Sequence, residues 1–97
     1  MMTLKSNKRV PLGQVVITQG ARDVLPVIDV ERGLARHAAG DWGEIRKEDW
    51  TTNDATLQQD VRVQSSYRTR KGVSFWVITE WTPSKTYVLL PEEYPED

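Results

Sequence analysis

Residues 72–91 read GVSFWVITEWTPSKTYVLLP, the densest apolar stretch of the chain. Residues 73–80 are rich in β-branched and aromatic side chains, which suit a pleated, packed surface. Successive side chains of a strand point to opposite faces. One face then carries Val73, Phe75, Val77 and Thr79, and the other Ser74, Trp76, Ile78 and Glu80. Both are mostly apolar, so the strand is expected to be covered on both sides. A second run, residues 86–90, sets Tyr87 and Leu89 against Val88 and Leu90. Thr82-Pro83-Ser84-Lys85 reads as the turn between them, with proline pre-setting φ for its second position. Pro91 ends the second strand because it cannot donate to a ladder.

Outward from this hairpin, residues 61–68 alternate Val61, Val63, Ser65 and Tyr67 with Arg62, Gln64, Ser66 and Arg68. That is a strand with one face toward water. Upstream, residues 11–18 give a first strand, and residues 21–25 a helical turn halted before Pro26. Asp29 is placed to cap a helix whose Val30, Leu34, His37 and Ala38 share a face and which Gly40 closes. Residues 40–43, GDWG, form a tight connection that buries the Trp ring. A second helix spans residues 46–59, with Trp50 and Leu57 on one narrow apolar face and Trp50 as its anchor. Its interior Thr51-Thr52-Asn53-Asp54 is weak in helix propensity, which leaves a break with re-capping as an alternative. The order β-α-α-β-β-β makes a small α+β domain, a three-stranded antiparallel meander with helices on one face.

The chain's 97 residues make one domain over residues 10–94, between a flexible basic start at residues 1–9 and an acidic tail at residues 95–97. There is no cysteine, which excludes disulfides, thiol catalysis and thiolate-bound zinc and fits a reducing compartment. No secretory leader or membrane span is visible, so the expected location is the cytoplasm. The net charge of −1 argues against a general nucleic-acid binder, which carries a basic excess.

Candidate chemistry is sparse. His37, the single histidine, has the pKa range of a general base, against the plainer role of a half-buried helix residue bonded to a backbone carbonyl. Asp41, Glu44, Glu48 and Asp49 surround the GDWG turn; a metal site is one reading, and favourable charge at a helix start is the simpler one. Neither a metal nor a cofactor is expected. Arg62, Gln64, Ser66 and Arg68, with Arg70 and Lys71 close by, form the basic cluster of the sheet, able to grip phosphates or simply face solvent. Trp81 at the hairpin end, and to a lesser degree Trp42, are the candidate anchors for a protein partner.

The segments Arg36-His37, 40–43, Asn53-Asp54, 76–80 and 89–94 resemble a small family of uncharacterised bacterial proteins carried on plasmids, phages and integrated elements. The resemblance covers about residues 13–94 and implies a bacterial, intracellular protein of a mobile element. Family members often read ITEADRS where this chain has ITEWTPS, so the acid and arginine of that turn are missing here. In element order alone the chain is also similar to toxins of the RelE and ParE type and to barnase-like ribonucleases. That similarity implies a metal-independent RNA-cleaving site built from His37, Arg62, Arg68, Glu80 and Tyr94 on an open sheet face. Three readings follow: a non-enzymatic protein-interaction domain that binds a partner or itself, a ribonuclease, and an acidic mimic of nucleic acid.

Overall fold

A computed structural model describes residues 10–57, 62–81 and 84–94, with Thr56, Leu57 and Trp81 described by their backbone alone. The elements run β1 (Gln14–Ile17), α1 (Gln19–Val24), α2 (Val27–Ala38), α3 (Lys47–Leu57), β2 (Val63–Arg68), β3 (Ser74–Trp81), β4 (Ser84–Leu89) and a 3-10 turn (Pro91–Glu93). They form an α+β domain. Strands β2, β3 and β4 are the antiparallel meander, and β1 joins the far side of β4 in parallel, giving the order β1-β4-β3-β2. The basic start, the acidic tail, Val61 and the turn residues Thr82 and Pro83 lie outside the described residues.

The hairpin is tighter than its composition suggests. Trp81 pairs with Ser84 and Glu80 with Lys85, so Ser84 and Lys85 belong to β4 and not to the turn. Opposite charges directly across a ladder favour that pairing. Val73 stays outside β3 and is 37% exposed.

The helix-facing side of the sheet is the core. Phe75, Val77 and Thr79 of β3, Thr86 and Val88 of β4, and Val63, Ser65 and Tyr67 of β2 are all buried there. Against them pack Ala21, Leu25 and Val30, with Ile17 and Leu34 at the margin. A smaller apolar cluster of Val10, Trp42 and Val63, flanked by Leu12, Ile45 and Trp50, holds α3 to the edge of the sheet.

Helix α2 starts at Val27 after Pro26, three residues earlier than a cap at Asp29 implies. Asp29 lies inside the first turn, 6% exposed, and its carboxylate accepts bonds from Nε and Nη2 of Arg70 at 3.1 and 3.2 Å. A tertiary partner thus claims the side chain that the sequence offers as a cap. Helix α3 is continuous over its described length. The hydroxyls of Thr51 and Thr52 donate back to the carbonyls of Lys47 and Glu48, which satisfies them inside the helix.

Candidate functional site

The buried polar centre comes first, because it contains His37. His37 is 0% exposed, more deeply buried than a half-buried helix residue, and it bonds to hydroxyls instead of a backbone carbonyl. Its Nδ1 lies 2.5 Å from Ser65 Oγ and its Nε2 lies 2.9 Å from Thr79 Oγ1. The Trp42 ring meets it edge-on at 5.6 Å. Burial lowers its pKa to about 4, so the imidazole is neutral at physiological pH. A proton acceptor sealed beneath the sheet cannot reach a substrate on the other face.

The opposite face of the sheet carries a groove of about 500 Å³. Cross-strand register builds it. Val16, Tyr87, Ile78 and Gln64 form one row across the four strands, and Leu89, Trp76 and Ser66 form the next. Ile78 and Leu89 floor the groove, and Tyr87, Tyr94, Arg62, Glu80, Thr18 and Glu93 complete its lining. The 3-10 turn brings Tyr94 back over the sheet, where its ring meets Trp76 at 5.4 Å. Arg62 lies over the Tyr94 ring, 5.2 Å from its centre, and donates to the Tyr94 hydroxyl.

Glu93 belongs to the scaffold. Its carboxylate accepts from the Thr18 hydroxyl at 2.6 Å, from the Gly20 amide at 3.1 Å and from the Leu90 amide at 2.8 Å. The Thr18 bond leads in holding its pKa below the usual carboxylate value. Thr18 in turn accepts from Ala21 and so caps α1. With Glu93 and Thr18 engaged in this way, the other polar groups lining the groove are Arg62, Glu80 and the hydroxyls of Tyr87 and Tyr94.

Arg62, Glu80 and Tyr94 thus share one site, and His37 and Arg68 are elsewhere. Arg68 stands six residues along β2 from Arg62, about 20 Å at the usual strand rise. Its Nε pairs with Glu44 at 3.0 Å. Two other acids of the GDWG region are also paired with arginines, Asp41 with Arg36 at 2.7 Å and Asp49 with Arg46 at 3.4 Å. The bond to Arg36 holds the Asp41 carboxyl below its ordinary pKa and raises that of Arg36. Among the described residues no group of three or more metal-ligating side chains converges, and no helix is long and apolar enough to cross a membrane.

Trp42, a candidate interaction anchor, is 0% exposed and presents nothing at the surface. Its indole N–H donates to Asp54 Oδ1 at 2.9 Å. The ring of Trp81 lies outside the described residues. The surface residues that sequence reasoning missed are Tyr87, set beside Ile78 by the β3–β4 register, and Val16, whose place on the open face depends on β1 joining β4. A second apolar area, with Val24, Val27 and Ile28 exposed, marks the corner between α1 and α2.

Comparison with protein-family models, with curated proteins and with solved structures gave no match for this chain.

Proposed function

We propose that the chain is a non-enzymatic protein-interaction domain whose contact surface is the open face of its sheet. The observation that carries this reading is the uncovered apolar face itself. Strands β3 and β4 are apolar on both sides, yet the helices cover one side, and among the described residues the other has the Pro91–Glu93 turn and Tyr94 over it. Half-buried Val16, Tyr87 and Trp76 border a groove floored by Ile78 and Leu89. Apolar surface of this kind gains free energy when covered.

The rim favours a polypeptide occupant. Lys85 and Glu80 face each other in register, and Arg62, just before β2, lines the same groove as Glu80, so charges of both signs meet there. A polyanion would meet Glu80 and a net charge of −1, whereas a protein surface carries both signs. A photo-reactive residue at Tyr87, introduced in the protein's native cells, is expected to give a cross-linked adduct of one defined mass. The same residue at Glu48 on the outer surface of α3 serves as the control and is expected to give none. Absence of an adduct at Tyr87 overturns the reading.

A ribonuclease remains the second reading, favoured by Arg62, Glu80 and Tyr94 lining one groove. It loses His37 to burial and Arg68 to distance. RNA cleavage by the purified chain, abolished in Arg62→Ala, would establish it in place of the first. The acidic-mimic reading is weakened by the pairing of Asp41, Glu44 and Asp49 with arginines.

A further inference from the structure

The two edges of the sheet are finished differently. At the β2 edge both backbone groups of Ser66 and the carbonyl of Gln64 are taken. Ser66 donates its N–H to the Trp42 carbonyl at 3.1 Å, and its carbonyl accepts from the Glu44 amide at 2.7 Å. The Gln64 carbonyl accepts from Asn53 Nδ2 at 2.7 Å. The loop after α2 and the helix α3 therefore cover this edge around Gln64 and Ser66.

At the β1 edge most of the outward groups are open among the described residues. Thr18 donates its N–H to the Val88 carbonyl at 3.0 Å, which fixes the phase of the parallel ladder. Gln14, Val16 and Thr18 then turn their backbone groups toward β4, and Val15 and Ile17 turn theirs outward. Arg22 Nε donates to the Ile17 carbonyl at 3.3 Å. Among the described residues the N–H and C=O of Val15 and the N–H of Ile17 have no partner. The four residues QVVI contain no proline and no charge, the usual guards of an edge. Val15 is 39% exposed.

We propose that the β1 edge is a strand-addition site for a second copy of this chain. Two β1 strands pair antiparallel about a two-fold axis at Val15, and two four-stranded sheets become one of eight. Val15 exchanges both backbone bonds with its counterpart, and the pairing is isologous, as a closed dimer requires. A copy of the chain suits the edge better than a free peptide does. Four residues offer few hydrogen bonds, each contributing only about 1 kcal/mol net, and a free peptide must also be ordered on binding. A second copy arrives with its strand already formed. The inference rests on the interaction-domain reading and names a partner for it at a different surface.

The test combines mass by sedimentation equilibrium across a concentration series with amide hydrogen exchange, on wild type and Val15→Lys. The lysine sets like charges opposite each other at the axis and touches no bond of the β1–β4 ladder. The expected wild-type result is a monomer–dimer equilibrium in which the Val15 and Ile17 amides become protected as dimer forms. Val15→Lys is expected to raise the dimer dissociation constant at least ten-fold and to leave both amides fast-exchanging. Protected Val16 and Thr18 amides in the variant show that it is folded. A wild-type chain still monomeric at about 1 mM overturns the proposal. So does a dimer in which the Val15 and Ile17 amides stay fast, since its copies meet through another surface such as the open face. Either result leaves the cross-linking test at Tyr87 standing by itself.

Discussion

Nε2 of His37 donates its hydrogen to Thr79 Oγ1, and the bonds beyond Thr79 dictate that direction. Thr86 spends its hydroxyl hydrogen on the Leu12 carbonyl at 2.7 Å. Thr79, 2.7 Å from Thr86, must therefore donate to it and accept from His37. Nδ1 is then left as the acceptor for the Ser65 hydroxyl. One neutral tautomer satisfies four side chains and a carbonyl in the centre of the fold.

This arrangement makes stability depend on acid. The folded-state pKa of His37 falls from 6.5 to about 4, so the unfolded chain binds the proton more tightly. The contribution of the neutral ring is complete above pH 6.5 and is lost progressively as the pH falls toward 4. The limiting loss is about 3 kcal/mol, from 1.36 kcal/mol per pKa unit. Urea denaturation of wild type and His37→Gln between pH 7.5 and 4 checks it. The glutamine offers a donor and an acceptor and does not titrate. The difference between the two curves is expected to shrink as the pH falls, and a constant difference would show that His37 does not titrate on unfolding.

The two ends of the described fold are tied by Glu93 and Thr18, 75 positions apart. Glu93→Gln keeps the size but weakens three charge-assisted bonds, and Thr18→Ala removes the α1 cap. Each is expected to cost about 1–2 kcal/mol, the usual range for a lost cap. The losses should not add, because the residues share one bond. A double-mutant cycle measured by thermal unfolding should give a coupling of about 1 kcal/mol; strict additivity would mean that the bond contributes nothing.

How much of this was legible in the sequence depends on the range of the interaction. The meander was legible because β2, β3 and β4 alternate or run apolar at strand spacing, and the burial of Trp42 because two glycines flank it. The cap at Asp29 was misplaced because Arg70, its true partner, lies 41 positions downstream. The bonds of His37 to Ser65 and Thr79 span 28 and 42 positions and leave no local pattern. The groove was half visible. Arg62, Glu80 and Tyr94 were candidates, but the parallel seating of β1 beside β4, which brings in Val16, has no signature in the hairpin.

Gly43 has φ of +76°, and a Cβ there would stand 2.1 Å from the Ser66 carbonyl oxygen. Gly43→Ala is therefore strained in backbone conformation and in space. The conformational part alone is about 1–2 kcal/mol, and the clash adds to it by pushing the loop off β2. Native-state hydrogen exchange is the sharper readout. The Ser66 and Glu44 amides, which join loop to strand, should lose protection in the variant while the β3–β4 amides keep theirs. Uniform loss across the sheet would show that the loop is no separate unit.

Trp42 sits where the smaller cluster, His37 and α3 meet. Its ring touches His37 edge-on, its indole N–H holds Asp54 of α3, and Val10 and Val63 pack with it. Trp42→Phe keeps an aromatic surface but leaves part of the site empty and removes the indole donor. Trp42→Ala empties it. Large-to-small core changes of the second kind cost about 3–5 kcal/mol, and the phenylalanine is expected to cost less than half of that. The loss should fall unevenly, because α3 reaches the sheet through this cluster and through the Asn53 bond to Gln64. In Trp42→Phe, α3 amides should exchange faster by about ten-fold or more, with the α2 amides little changed. Equal acceleration in both helices would show that Trp42 supports the whole fold cooperatively and that α3 has no local opening of its own.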